Sequence, residues 1–295
     1  MANPSENTRG AAIMMLSMAA FSFGDACIKA TAGNVPLSQI LAMRGVLATG
    51  LIFLLAWRLD ALRFRLSGRD WALIGLRSLA EVATAYFFLT ALLNMPIANV
   101  TALLQMLPLT VTLGGALFFR DPVGWRRWAA IAVGFAGMLL IVKPGTEGFN
   151  SYVLYALIAV VCVTFRDLAV RKISRDVPSL TVTMAASCAV TGFAFVWSVE
   201  QVWVPLTPFL GGLIIASSLF IIGGYVFSVM VMRIGEVSFM APFRYTGLLW
   251  ALLLGWLVFG EWPLPSTLIG ATIVVATGVF TLIRQPKSRA RLPSV

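Results

Sequence analysis

The feature that most constrains this chain is that it matches itself. Shifted by 142 residues, Phe23, Asp25, Val35, Pro36, Thr49, Gly50 and Phe53 fall on Phe165, Asp167, Val177, Pro178, Thr191, Gly192 and Phe195 without a gap. The match continues with small offsets: Tyr86, Phe88 and Ala102 fall on Tyr225, Phe227 and Ala241 at a shift of 139, and Phe119 and Asp121 fall on Phe259 and Glu261 at 140. Any fold available to this chain must therefore be built from two like units.

Composition fixes the solvent. With 59% hydrophobic and 12% charged residues, 295 residues cannot enclose one soluble core and still present a polar surface. A helix of about 20 apolar residues crosses the hydrocarbon, and ten such segments are legible: 10–31, 36–57, 71–93, 97–119, 125–142, 151–170, 178–199, 209–232, 237–259 and 263–283. Five spans per copy is an odd number, so the second copy enters the bilayer upside down. The expected fold is all-α and integral to the membrane, with residues 1–142 and 151–283 as two inverted five-helix repeats. Residues 143–150 form the joint and 284–295 a basic tail. Inverted repeats of this kind build secondary transporters, in which one repeat rocks against the other.

Basic residues give the orientation. One face of the membrane collects Arg9, Arg58, Arg63, Arg65, Arg69, Arg120, Arg126, Arg127, Arg171, Lys172, Arg175, Arg233, Arg284, Lys287, Arg289 and Arg291, while the opposite face has only Lys143. The positive-inside rule puts the basic face, both termini and the tail in the cytoplasm. The same clustering explains the net charge of +10 without nucleic acid, since no basic tract is interleaved with aromatics. The first span resembles a secretory signal, but its counterpart from Ser151 to Val170 lies deep in the chain, so it reads as a permanent helix. Cys27, Cys162 and Cys188 fall inside spans and read as packing residues.

Charges inside spans are costly and mark candidate functional sites. Asp25 and Lys29 lie one turn apart, as do their counterparts Asp167 and Arg171, and read as structural or gate pairs. Arg44, Arg77 and Glu81 map onto Ala186, Ala216 and Phe220, so the fold does not itself demand charge there. Glu81 lies near the midplane with Arg77 one turn away. The pair reads either as a packed salt bridge or as a cavity lining that attracts an ammonium and a carboxylate. Gln105 and Arg244 are counterparts, each within three residues of a proline, Pro108 or Pro242, and these prolines are expected to bend the fourth and ninth spans toward the transport path. Tyr86, Phe88, Tyr225, Phe227 and Trp250 are candidate aromatic walls.

Several function classes are disfavoured. There is no phosphate-cradling Gly-rich loop ending in Lys-Ser or Lys-Thr, so an ATP-driven pump is not expected. The chain has no histidine, which removes the usual zinc ligand and proton shuttle. The acids are isolated, so neither a catalytic residue nor an enzyme is expected, and no metal or cofactor.

Phe23, Gly24 and Lys29 in the first span, Arg44 in Leu-Ala-Met-Arg, Pro108 before an apolar run ending at Asp121, and Phe259-Gly260-Glu261 closing the ninth span resemble the EamA family of the drug/metabolite transporter superfamily. The likeness runs over the full length. It implies a carrier of the bacterial inner membrane with a central cavity, often exporting amino acids or related metabolites. The second half departs from the first in holding Ala186 where Arg44 would map. The reading is a secondary transporter of small zwitterionic or amphipathic metabolites, most readily an amino-acid exporter. The alternatives are an exporter of organic cations or drugs, then a channel or a membrane-embedded enzyme. Its expected partners are a small-molecule substrate and the lipid bilayer, with no nucleic acid, and a monomer is the working expectation.

Overall fold

In the computed structural model, residues 4–59, 65–121, 123–144, 150–174, 176–234 and 240–283 are described. The tail, Arg63, Arg175 and most of the joint lie outside them. The described residues form eleven α-helices and one 3-10 turn: α1 Pro4–Lys29, α2 Leu37–Arg58, α3 Gly68–Asn94, α4 Ile97–Leu104, α5 Leu107–Phe119, α6 Trp125–Val142, α7 Tyr152–Val170, α8 Ser179–Ser198, α9 Pro208–Ile234, the turn Ala241–Tyr245, α10 Thr246–Phe259 and α11 Pro265–Ile283. Ten helical spans of 18 to 27 residues are long and apolar enough to cross a membrane.

The boundaries follow from local chemistry. Pro36, Pro96 and Pro178 stand immediately before helices, where a missing N–H costs nothing. Ser67 caps α3: its hydroxyl accepts from the Asp70 amide at 3.1 Å and donates to the Asp70 carboxylate at 2.7 Å. The same buried carboxylate accepts from the amide and hydroxyl of Ser174, at 3.0 and 2.9 Å. The start of α3 is thereby tied to the loop after α7. At the other end of the spans, α10 stops at Gly260, whose φ of 64° is a left-handed cap that glycine adopts without strain.

The duplication is visible as packing. Helix α1 lies along α9 and α3 lies along α7, which is one contact seen twice, because α1 corresponds to α7 and α3 to α9. Two contacts join a helix to its own counterpart, α2 with α8 and α6 with α11, and the fourth and ninth spans meet through α4 and α10. The pseudo-twofold axis therefore runs through those seams. Thr49 and its counterpart Thr191 meet there, hydroxyl to hydroxyl, at 3.1 Å. Glycines bring α6 against α11: a Cβ on Gly270 would lie 2.5 Å from the Gly137 carbonyl oxygen, so no side chain fits.

The fourth and ninth spans are broken as the sequence suggests, but not by prolines acting inside continuous helices. Helix α5 begins at Leu107 and α10 at Thr246, the same 139-residue shift that relates Gln105 to Arg244. The prolines are not equivalent: Pro108 maps to Gly247 and Pro242 to Leu103. Each stands in the first turn of a new element, where its missing donor is one of the unpaired amides every helix start has. At the first break Leu109 and Thr110 both donate to the Met106 carbonyl, at 2.9 and 3.0 Å. Leu109 thereby leaves the Gln105 carbonyl, and Pro108 has no N–H for that of Leu104.

Candidate functional site

Glu81 is the middle residue of α3, which spans the bilayer from the basic face to the opposite one. Its carboxylate meets two guanidinium groups. Arg166 of α7 reaches both oxygens through Nη1, at 3.2 and 3.4 Å, and Arg77 approaches from one turn away at 3.7 Å. Arg166 also donates through Nε to its neighbour Asp167 at 3.0 Å. Two cations and two anions thus form one cluster where a helix of the first repeat packs on a helix of the second.

The donors are not evenly served. Arg166 divides its hydrogen bonds between two carboxylates, whereas Nε and Nη1 of Arg77 are buried with no hydrogen-bond partner. An unmet buried donor costs about 1–3 kcal/mol, and more when charged. Tyr225 of α9 lies within the electrostatic reach of Glu81, Arg166, Arg44 and Arg77 and yet keeps 43% of its surface open. Its ring packs edge-on against Phe21 at 5.3 Å. A second level lies toward the face opposite the basic loops, where Arg44 of α2 acts on Asp25 of α1.

The remaining aromatic candidates separate. Tyr86 joins Trp197 at 5.2 Å, Phe87 at 5.2 Å and Tyr155 at 6.5 Å, an arc of rings between α3, α7 and α8. Trp250 packs on Phe23 at 6.0 Å, and Phe23 stacks on Phe220, the counterpart of Glu81. Phe88 is wedged between the two main apolar clusters and serves packing. Phe227 is half-buried on α9. At the paired helix breaks, Gln105 Nε2 lies 3.8 Å from where a Gly247 Cβ would stand, and Arg244 is exposed.

The pairs expected within each helix are not the pairs formed. Lys29 turns from Asp25 to Glu261 at 3.1 Å, and it also donates to the carbonyls of Met95 and Leu92 at 2.6 and 3.3 Å. Arg171 turns from Asp167 to Asp121 at 3.2 Å. The reason is geometric: long side chains at helix ends reach the acids in the loops after α5 and α10, where left-handed residues Arg120 and Gly260 bring the chain back. Aromatic rings complete both arrangements, with Lys29 over Phe259 at 5.5 Å and Lys172 over Phe119 at 5.2 Å.

A family model described as the EamA-like transporter family matches residues 8–143 and again 150–283. The chain belongs to the EamA-like transporter family. Among relatives of this EamA-like transporter, an S-adenosylmethionine uptake transporter of Rickettsia felis is 27% identical over 201 residues, 66% of each chain. That match spans just under two thirds of the relative's length. A riboflavin transporter of Vibrio cholerae is 29% identical over 197 residues, again 66% of each. A pseudopaline exporter of Pseudomonas aeruginosa is 26% identical over 271 residues, covering 90% of this chain and 93% of that one. A crystal structure aligns with a TM-score of 0.65 at 19% identity, covering 94% of this chain and 97% of the other, which shows a shared fold. The chain is thus a multi-pass membrane protein of a transporter family.

Sequence reasoning missed Arg166, the residue that holds Glu81. The signal was present, because Arg166 falls on Gly24 at the 142-residue shift and is an asymmetric charge like Arg44, Arg77 and Glu81.

Proposed function

We propose that this protein is a secondary transporter of the bacterial inner membrane that carries a small zwitterionic or amphipathic metabolite, amino acids and their conjugates first, by alternating access. The observation that carries this reading is the Arg77–Glu81–Arg166 cluster. A mid-span guanidinium with two unmet donors lies beside a carboxylate already held by another arginine. Arg77 suits the carboxylate of a substrate, because a guanidinium fork binds carboxylates bidentately. Tyr225 and the rings around Tyr86 suit its apolar or cationic part. The basic face, with both termini, is assigned to the cytoplasm by the positive-inside rule.

The relatives' names support a metabolite carrier and span both uptake and export. A site that rocks between two faces moves substrate down whichever gradient prevails. The test is flux into proteoliposomes over a panel of radiolabelled amino acids, S-adenosylmethionine and riboflavin, with unlabelled compound inside for counterflow. Saturable, counterflow-stimulated uptake of one panel member, weakened at least tenfold in affinity by Arg77→Met in folded protein, is the expected result. Non-saturable flux of all of them would indicate a pore, and unchanged affinity in Arg77→Met would remove Arg77 from the site.

A further inference from the structure

Asp25 and Asp167 are the same residue of the repeat, and the fold treats them oppositely. Asp167 is neutralised from its own helix by Arg166, at 3.0 Å. The place of Arg166 is taken in the first repeat by Gly24. A Cβ there would lie 3.4 Å from the Ser217 carbonyl oxygen and 3.5 Å from the Phe220 side chain, so position 24 faces α9 at contact distance. Asp25 is thereby denied the neighbour that its counterpart has.

No other base replaces it. Lys29, one turn along α1, is taken by Glu261 and two carbonyls. Arg44 of α2 acts on Asp25, but among the described residues Asp25 forms no ion pair within 4.0 Å. Of the other elements packed on α1, α9 presents Tyr225, α3 carries Arg77 and Glu81, which are engaged with each other and with Arg166, and the 3-10 turn carries Arg244 and Tyr245. Helix α10 has no charged residue. Asp25 is half-buried, about 6 Å inside the end of its span by helical rise. A carboxylate held in a membrane span without a bonded cation is costly in its ionised form. The group that relieves that cost without any rearrangement of the helices is a proton. Glu81 is unsuited to the same task, because Arg166 occupies both of its oxygens.

We propose that Asp25 is the proton-carrying group of the transport cycle. Its carboxylate takes up a proton from water on one face and returns it to water on the other as the repeats rock, coupling substrate flux to the proton gradient. No other bond forms or breaks. This rests on the alternating-access reading above, and the experiment has two parts so that the two can fail separately.

The first part needs no substrate: pH-difference infrared spectroscopy of the full chain in lipid nanodiscs, comparing wild type, Asp25→Asn and Asp167→Asn. The protonated-carboxyl band should appear on acidification in wild type and Asp167→Asn and be missing in Asp25→Asn. A band retained in Asp25→Asn overturns the proposal. The second part uses the panel compound found to be carried. A pH gradient should drive its accumulation in wild type and Asp25→Glu, while Asp25→Asn loses at least tenfold of that accumulation and keeps counterflow exchange. Gradient-driven accumulation in Asp25→Asn equal to wild type also overturns it. If no panel compound is carried, the transport reading fails there and the infrared result alone decides whether Asp25 takes up a proton. If Asp25→Asn does not fold, Asp25→Glu should shift the acid-induced band, and a band left at its wild-type position in Asp25→Glu overturns the assignment.

Discussion

Lys29 of the first repeat and Glu261 of the second meet at 3.1 Å, and their repeat counterparts Arg171 and Asp121 meet at 3.2 Å at the other ends of the spans. One contact, duplicated with the sequence, thus ties the repeats together on both faces. The two copies differ in exposure: the Lys29 side chain is 9% exposed, whereas Arg171 and Asp121 are 45% and 49% exposed. Because each pair joins different repeats, any rocking of one repeat against the other must strain at least one of them.

Removing one partner of the buried pair should strand the other. Glu261→Gln is expected to destabilise the protein by about 3 kcal/mol, and Lys29→Met/Glu261→Gln to recover most of that loss. Asp121→Asn, at the exposed pair, should cost less than about 1 kcal/mol. Thermal unfolding of purified protein in nanodiscs measures all three, and an equal cost at both pairs would contradict the exposure argument.

Glu81→Gln removes the anion shared by two arginines, so it should lower stability more than Arg77→Met does. Arg77 Nε and Nη1 make no hydrogen bond in this structure, and Arg77→Met loses only the 3.7 Å ion pair with Glu81. Combining Glu81→Gln with Arg166→Met should restore part of that loss, since Arg166 is then no longer stranded, while Arg77 and the partly exposed Asp167 remain as unpaired charges. The double-mutant coupling between Glu81 and Arg166 is expected at about 1–3 kcal/mol. A coupling near zero would mean that the two do not interact.

The α6–α11 seam is intolerant of bulk. Gly270→Leu must push its side chain into the Gly137 backbone and is expected to cost about 3 kcal/mol or to abolish insertion of folded protein. Gly50→Leu, whose Cβ would meet nothing within 4 Å, should be nearly neutral. Yield and melting temperature of the two variants report the difference.

Topology has its own readout. In a chain with Cys27, Cys162 and Cys188 replaced, a cysteine at Asn34 should react with a membrane-impermeant maleimide in intact cells, and one at Gly124 only after lysis. The reverse pattern would turn the protein over in the membrane.

The repeat, the ten spans and the aligned breaks at Gln105 and Arg244 were legible because duplication and hydropathy are one-dimensional signals. Ion-pair partners were not. Spacing of i and i+4 finds neighbours on one helix, whereas Lys29 and Arg171 sit at helix ends, from which a side chain can leave its own helix for a loop more than one hundred or about fifty residues away. Arg166 was legible but unread, since it required the asymmetry comparison to be applied to a helix whose acid already matched. The prolines misled for a related reason: each opens an element, and their positions in the two repeats are not the same.

The seam between α2 and α8 is lopsided. On one side of the Thr49–Thr191 contact, Thr49 meets Ser187 at 2.7 Å; on the other, Thr191 crowds against Gly45, the counterpart of Ser187. The two helices behave there like subunits of a homodimer in which one copy has lost a side chain. Their backbones can close at the glycine end but are propped apart by a bonded hydroxyl at the serine end, so the axis of symmetry is occupied by a wedge. A wedge has a thin edge and a thick one, and filling the thin edge with Gly45→Ser would blunt it, altering the angle between the repeats without touching any charge in the protein.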